Sequence, residues 1–365
     1  MLYKVVRSFL VVSIVFSFPG LSRSDQFYEV VPGEYVVELT PQSSNLSINS
    51  EEGSQNSVNS LSDIKENLGD SKTFLLKEKH TTSSLSTSNK EEKDSFCDKL
   101  YKSGVARSCS PNYIYRTSYV PNDPNFSQLW GLRNSPGIDA SSAWDLYKGS
   151  TADVVAIIDT GIDYTHPDLV GNLWVNTAEI PNNGIDDDNN GYIDDIYGIN
   201  AITGTGNPLD DNKHGTHVAG TIAASSNNGI GVAGINQNAK VMALKFLSAS
   251  GSGALSDAIK AINYLVAMKN RGVNVKVVNN SWGGGGYSQP LFDAIKRLRD
   301  VGIIFAAAAG NEANDNDENP SYPSSYNLDN IVSVASITSD GNLSSFSNYG
   351  YENVDIAAPG SGILS

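Results

Sequence analysis

Between residues 153 and 337 two hydrophobic periodicities take turns, and this alternation restricts the fold more than any other feature of the chain. Asp153-Val154-Val155-Ala156-Ile157-Ile158 is a short β-branched run with no polar face, which suits a parallel strand covered on both sides. Helical spacing follows over 214–224, 255–270 and 290–301, and strand-like runs over 240–246, 275–279, 303–308 and 331–337. Gly272 and Gly302 stand just past two of the helical stretches, where a left-handed cap is wanted. Strands joined through helices predict an α/β domain, a parallel sheet with helices on both faces. Ligands of such sheets bind outside the carboxyl ends of the strands. Asp159 and Asn311 each fall beyond the end of one of these runs.

The first helical stretch opens with His214-Gly215-Thr216-His217-Val218-Ala219-Gly220-Thr221. Gly215, Ala219, Gly220 and Ala223 let such a helix pack very close to its neighbours, as a base held rigidly at a helix start requires. Alone, the same pattern fits a buried glycine-rich helix with no chemical role. Two further stretches change the weighting: Val154-Val155-Ala156-Ile157-Ile158-Asp159-Thr160-Gly161-Ile162-Asp163 upstream and Ala306-Ala307-Ala308-Ala309-Gly310-Asn311-Glu312 downstream. In this order the three resemble the subtilisin-like serine proteases, over roughly residues 113–365.

The resemblance implies a serine nucleophile activated by a base, with a carboxylate that fixes the base's tautomer. His214 takes the base position and Asp159 the carboxylate. Asp163 competes with it, but the family aspartate stands directly before Thr-Gly, as Asp159 does. His217 and His166 are expected to be structural. Asn311 matches the asparagine whose amide donates to the tetrahedral intermediate. Gly251, Ser252 and Gly253, and Ser281, Trp282 and Gly283, match the two edges that clamp an extended polypeptide substrate by backbone pairing. Trp282 takes the place of a pocket wall.

The family's nucleophile motif, Gly-Thr-Ser-Met-Ala or close to it, does not occur in residues 1–365. Asp355-Ile356-Ala357-Ala358-Pro359-Gly360, which precedes that motif in the family, is present, and Ser365 lacks the required glycine before it. The expectation is therefore a secreted endopeptidase whose serine lies beyond Ser365. The alternative is a non-catalytic, calcium- and peptide-binding remnant. Every earlier functional position is intact, which favours the protease.

The chain carries 25 Lys+Arg against 40 Asp+Glu, a formal charge of −15, which argues against nucleic acid as a partner and for solubility or cation binding. Much of the acidity is local. Asp186-Asp187-Asp188-Asn189-Asn190-Gly191-Tyr192-Ile193-Asp194 follows the calcium-loop pattern, with oxygen ligands at the first, third and fifth positions and then glycine. Asp186, Asp188 and Asn190 are expected to point inward, with the Tyr192 carbonyl and Asp194 adding oxygens. The twelfth position is Tyr197 rather than glutamate, so Asp195, or Glu179 and Asn176, would complete the set. A second calcium site is implied by the resemblance alone, from Asp168, Asn228 and the carbonyls of Ile230 and Val232.

Residues 1–24 read as a secretory signal: Lys4 and Arg7, a short apolar run, then small residues. No membrane span is expected after its removal. Export makes a disulfide between Cys97 and Cys109 the expected state. Residues 34–39 alternate like a half-buried strand and 72–77 suggest another, whereas 41–60 and 81–95 are polar and are read as flexible insertions. Their position ahead of the motifs implies that 25–118 is a small α+β propeptide, an intramolecular inhibitor of a peptidase domain over 119–365. A generic secreted α+β domain is the other reading of that region. The whole is expected to be monomeric.

Overall fold

A computed structural model describes residues 30–41, 62–69, 72–79, 90–114 and 119–365. The signal segment and most of the polar stretches read as insertions lie outside the described residues. The chain divides into two compact units, with the boundary at Thr117/Ser118.

The first unit is a four-stranded sheet of β1 (Val30–Leu39), β2 (Ser62–Asn67), β3 (Thr73–Glu78) and β4 (Ala106–Tyr113), in the order β2-β3-β1-β4, with one helix, α1 (Lys90–Lys102). The three sheet pairings are antiparallel. Its core joins Val37, Leu39, Phe74 and Leu76 of the sheet to Phe96 and Leu100 of α1. Cys97 on α1 is bonded to Cys109 on β4. Part of 81–95 is thus helical rather than insertion: Lys and Glu, which made it look unstructured, are good helix formers once Phe96 and Leu100 supply a buried face. Pro111 lies in β4 at the sheet edge, where its missing N–H costs no ladder bond.

The second unit is α/β. Its elements are α2 (Ala140–Leu146), β5 (Val154–Asp159), β6 (Gly198–Asn200), α3 (His214–Ala223), β7 (Lys240–Lys245), α4 (Leu255–Asn270), β8 (Val275–Asn280), α5 (Gln289–Asp300), β9 (Ile304–Ala308), β10 (Ile331–Ile337) and β11 (Ile356–Pro359). The seven strands run in the order β11-β10-β9-β8-β5-β7-β6, and each neighbouring pair is parallel. Gly272 and Gly302 follow α4 and α5 with φ of 98° and 75°, the left-handed caps the sequence called for. Ser288 caps α5 by accepting from the Leu291 amide, with Pro290 in the first turn.

Alternation along β5 and β7 assigns the two layers. Ala156, Ile158, Met242 and Leu244 pack under α4 and α5, with Ile262, Leu265, Ile295 and Leu298. Ile157, Val241 and Ala243 face the other way, against Ala219 and Ala223 of α3. Helices therefore cover both faces of the sheet, and α3 brings His214 to the carboxyl end of β5. Among the described residues no helix is long and apolar enough to cross a membrane.

Candidate active site and cation sites

Asp159 ends β5 and is completely buried. Its Oδ1 accepts from the Thr160 amide at 2.6 Å and lies 2.7 Å from His214 Nδ1, while Oδ2 is buried without a hydrogen-bond partner. Because a carboxylate can only accept, this contact puts the proton on Nδ1 and leaves Nε2 as the basic nitrogen. The hydrogen bond to Asp159 raises the His214 pKa above 6.5; burial opposes it, and the negative charges of Asp159 and Asp210 reinforce it.

The start of α3 is fixed by side chains from outside the helix. Thr160 Oγ1 accepts from Gly215 N at 2.8 Å, and Asp210 Oδ2 accepts from Thr216 N at 3.0 Å. Gly215 has no substitute: a Cβ there would stand 2.1 Å from the Gly161 carbonyl oxygen. The small residues singled out in the sequence, Gly215, Ala219, Gly220 and Ala223, are the buried residues of α3. Beside this junction the buried Lys245 ammonium donates to Thr160 O at 2.7 Å, Leu247 O at 2.8 Å and Asp211 Oδ1 at 2.6 Å. It ties the end of β5 to the loop that leads into His214.

The other candidates fall elsewhere. Asp163 accepts from the amide and hydroxyl of Thr165. His166 Nδ1 accepts from Asp168 N, and His217 is exposed, its carbonyl accepting from Ser365 Oγ at 2.7 Å. Asn311 follows β9 after Gly310 and is exposed; among the described residues its side chain has no hydrogen-bond partner.

The two loops expected to hold substrate follow β7 and β8. Gly251, Ser252 and Gly253 are exposed, in a turn where Ser252 O accepts from Ser248 N. Gly253 lies on Phe246, whose ring contacts that of Trp282 at a centroid distance of 4.8 Å. Ser281 and Trp282 are half-buried and Gly283 exposed. Both loops thus rest on one aromatic contact.

In the acidic loop the carboxylates divide. Asp186 accepts from the amides of Asn190 and Gly191, Asp194 from those of Asn183 and Gly184, and Asn190 Oδ1 from Tyr192 N. The side-chain oxygens of these three satisfy turn amides rather than converge, while Asn190 Nδ2 donates to Asp195 Oδ2 at 2.8 Å. Glu179, Asp188 and Asp195 do converge, each offering an oxygen within 4.8 Å of the others. Asn176 Nδ2 bridges Asp188 and Asp195, and the Tyr264 hydroxyl donates to Asp195. Burial pushes the Asp195 carboxyl up to about 6, against hydrogen bonds from Tyr264, Asn190 and Asn176. Three oxygen donors fit a hard divalent cation; Asp188 Oδ1 is buried without a hydrogen bond, its one ion-pair partner among the described residues being the Arg271 guanidinium at 3.3 Å.

Around Asp168, of the second predicted set, the contacts come from N–H groups rather than from the expected oxygens. Asp168 is buried and accepts from Asn228 Nδ2 at 2.7 Å and Val232 N at 2.9 Å, while Ile230 N donates to Asn228 Oδ1. Asp123 joins the same loop, accepting from Asn227 N at 2.7 Å. Sequence reading missed Asp123, which lies about a hundred residues away and carries no local signal.

A parallel sheet with a buried aspartate at one strand end and a histidine at the start of the facing helix is an α/β scaffold built around an Asp–His pair. Residues 150–365 match the subtilase family, and the chain belongs to that family. It is 40% identical over 198 residues to Subtilisin-like protease 1 of Plasmodium berghei, covering 54% of this chain and 32% of that protein. It is 33% identical over 256 residues to the Thermophilic serine proteinase of Bacillus sp. (strain AK1), covering 70% and 55%. A protease from Pseudoalteromonas arctica superposes with a TM-score of 0.53 at 32% identity, covering 68% of this chain and 74% of that one. The chain thus spans about a third to a half of the length of these two curated relatives.

Proposed function

We propose that this protein is a secreted serine endopeptidase, in which Asp159 orients His214 and His214 Nε2 takes the proton from a serine hydroxyl. The observation that carries this reading is the 2.7 Å contact between a fully buried carboxylate and a half-exposed imidazole. As the serine attacks the scissile carbonyl, the imidazolium that forms is stabilised by Asp159, and the Asn311 amide donates to the developing oxyanion. Removing such a donor costs about 10²–10³ in kcat, a magnitude known from subtilisin itself. The nucleophile is assigned to residues that follow Ser365. The half-buried strip of Ile304, Ala306, Val332 and Val334 supports an apolar helix seated beside α3. An extended polypeptide pairs with the loops at 251–253 and 281–283.

Calcium fits as the structural cation, held by Glu179, Asp188 and Asp195 with Asn176 nearby, and by Asp168, Asn228 and the carbonyls of Ile230 and Val232 with Asp123 beside them. When bound it supplies counter-charge to each group of carboxylates. Residues 25–118 act as the propeptide, and the mature protein is a monomer.

The test is hydrolysis of an unfolded polypeptide by the protein expressed with its native continuation, together with labelling by a serine-directed phosphonate. Both should vanish in His214→Ala. Turnover at the parent rate in that variant would remove His214 from the mechanism.

A further inference from the structure

The backbone that presents Asn311 is fastened on both sides by one buried residue, Asn348, through its main-chain amide on one side and its side chain on the other. Gly310 O accepts from Asn348 N at 3.0 Å, and the Glu312 amide donates to Asn348 Oδ1 at 2.8 Å. Asn348 Oδ1 also accepts from Asn314 N at 3.2 Å, while its Nδ2 donates to Glu312 Oε2 at 2.8 Å and to Asn316 Oδ1 at 3.0 Å. Glu312 Oε2 in turn accepts from Asn311 N at 3.0 Å. Asn348 is 1% exposed and uses two acceptor and two donor positions, its full capacity. Gly310, at φ 122°, leaves no slack: a Cβ there would meet Asn348 Nδ2 at 2.3 Å and Glu312 Oε2 at 2.6 Å. The neighbouring pairs continue the same zip, Ala313 N to Phe346 O, Tyr349 N to Asn314 O and Asn316 N to Tyr349 O.

We propose that Asn348 is a positioning residue for the Asn311 amide: its main-chain amide holds the peptide group before Asn311 and its side chain holds the one after, so that the one polar side chain of the turn left without a partner is aimed from a rigid base. The proposal rests on the reading of Asn311 as the oxyanion donor. A satisfied buried network of this kind costs no reorganisation when charge develops, which is the condition for electrostatic stabilisation of a transition state. Asparagine is required because Glu312 needs a donor and its amide an acceptor at the same place. An aspartate would set an acceptor against Glu312 Oε2 and Asn316 Oδ1 and force the turn apart.

In the protein expressed with its native continuation, Asn348→Asp should lower kcat on the order of 10²-fold, as is expected of Asn311→Ala, and leave KM within about threefold. In an Asn311→Ala background the same change should cost less than about threefold, because the donor it positions is already gone. Amide hydrogen exchange of residues 1–365 gives a readout that does not depend on turnover. Exchange at 310–316 should rise in Asn348→Asp while β9 and β10 stay as protected as in the parent. Should that variant not fold, Asn348→Ser, which keeps an acceptor in less space, serves for the same comparisons. Parent-like exchange at 310–316, a rise across the whole sheet, or equal losses in both backgrounds would overturn the role. A parent protein without turnover counts against the peptidase reading instead, and the exchange measurement alone then decides whether Asn348 holds the turn.

Discussion

Asp159 and His214 meet at 2.7 Å across an abrupt change of environment: the carboxylate side chain is 0% exposed and the imidazole 49%. The buried partner is thereby shielded from competing water while the ring keeps one nitrogen towards the solvent side, where a reacting group would approach.

This contact fixes a pH dependence. The hydrogen bond to Asp159 raises the folded-state pKa of His214 above the ordinary 6.5, burial pulling the other way. The stabilisation that the charged pair gives is therefore fully present below about pH 6.5 and is lost as pH rises through the raised folded-state value. Catalysis runs in the opposite sense, because the base must be neutral; activity should rise through that same value. NMR titration of the His214 ring should show a midpoint above 6.5 that falls in Asp159→Asn. An unchanged midpoint in the variant would mean that Asp159 does not set the basicity of His214.

Lys245 gives a stability prediction on the other side of the same strand end. Lys245→Met leaves the carbonyls of Thr160 and Leu247 without their donor, and each buried acceptor left unpaired costs about 1–3 kcal/mol. Methionine also removes the desolvation of a buried ammonium, so a net loss of about 2 kcal/mol is expected. Asp211, half-exposed, should matter far less, with Asp211→Asn costing under about 1 kcal/mol. Urea unfolding of the two variants decides the point: equal losses would show that the Asp211 ion pair, not the carbonyl contacts, is what Lys245 contributes.

The two proposed calcium sites separate by mutation. A ligand at about a hundred times its dissociation constant adds about 2.7 kcal/mol of stability, so a chelator should lower the melting temperature measurably. Asp188→Asn and Asp195→Asn should remove one bound calcium, and Asp168→Asn another, as counted by calorimetric titration. If chelator leaves the melting temperature and titration heats unchanged, neither carboxylate group holds a cation.

How far the sequence was legible follows from what each residue's environment depends on. From β5 to β10, apart from β6, the strands and helices were visible because β5 and β7 are buried on both faces and α3 to α5 carry helical faces, so local pattern and final burial coincide; α2, ahead of them, was not. The short strands β6 and β11 were not, since three or four residues carry no periodicity of their own. Asp159, His214 and Asn311 stood in motifs. Glu179 reaches Asp188 and Asp195 only because the loop folds back, Asp123 meets its loop from about a hundred residues away, and Asn348 gains meaning only beside 310–316. Long-range partners of this kind leave no spacing signal.

The disulfide supplies the last test, and it concerns the small unit alone. Cys97 and Cys109 lie 12 residues apart and join α1 to β4, so the bond closes a short loop. Loop-closure entropy for that length is worth about 3 kcal/mol. Among the described residues the unit's core cluster comprises eight residues, from Val37 to Ala106, and a core of that size supplies few kcal/mol beyond its entropy cost. Reduction, or Cys97→Ala with Cys109→Ala, should therefore abolish exchange protection in β1 and β4, whose pairing carries much of the small sheet. The 119–365 unit contains no cysteine, and its thermal transition should stay where it is. Protection in β1 and β4 that survives reduction would show that the sheet and α1 hold together without the crosslink, and a shift of the larger unit's transition would show that its stability depends on the smaller one.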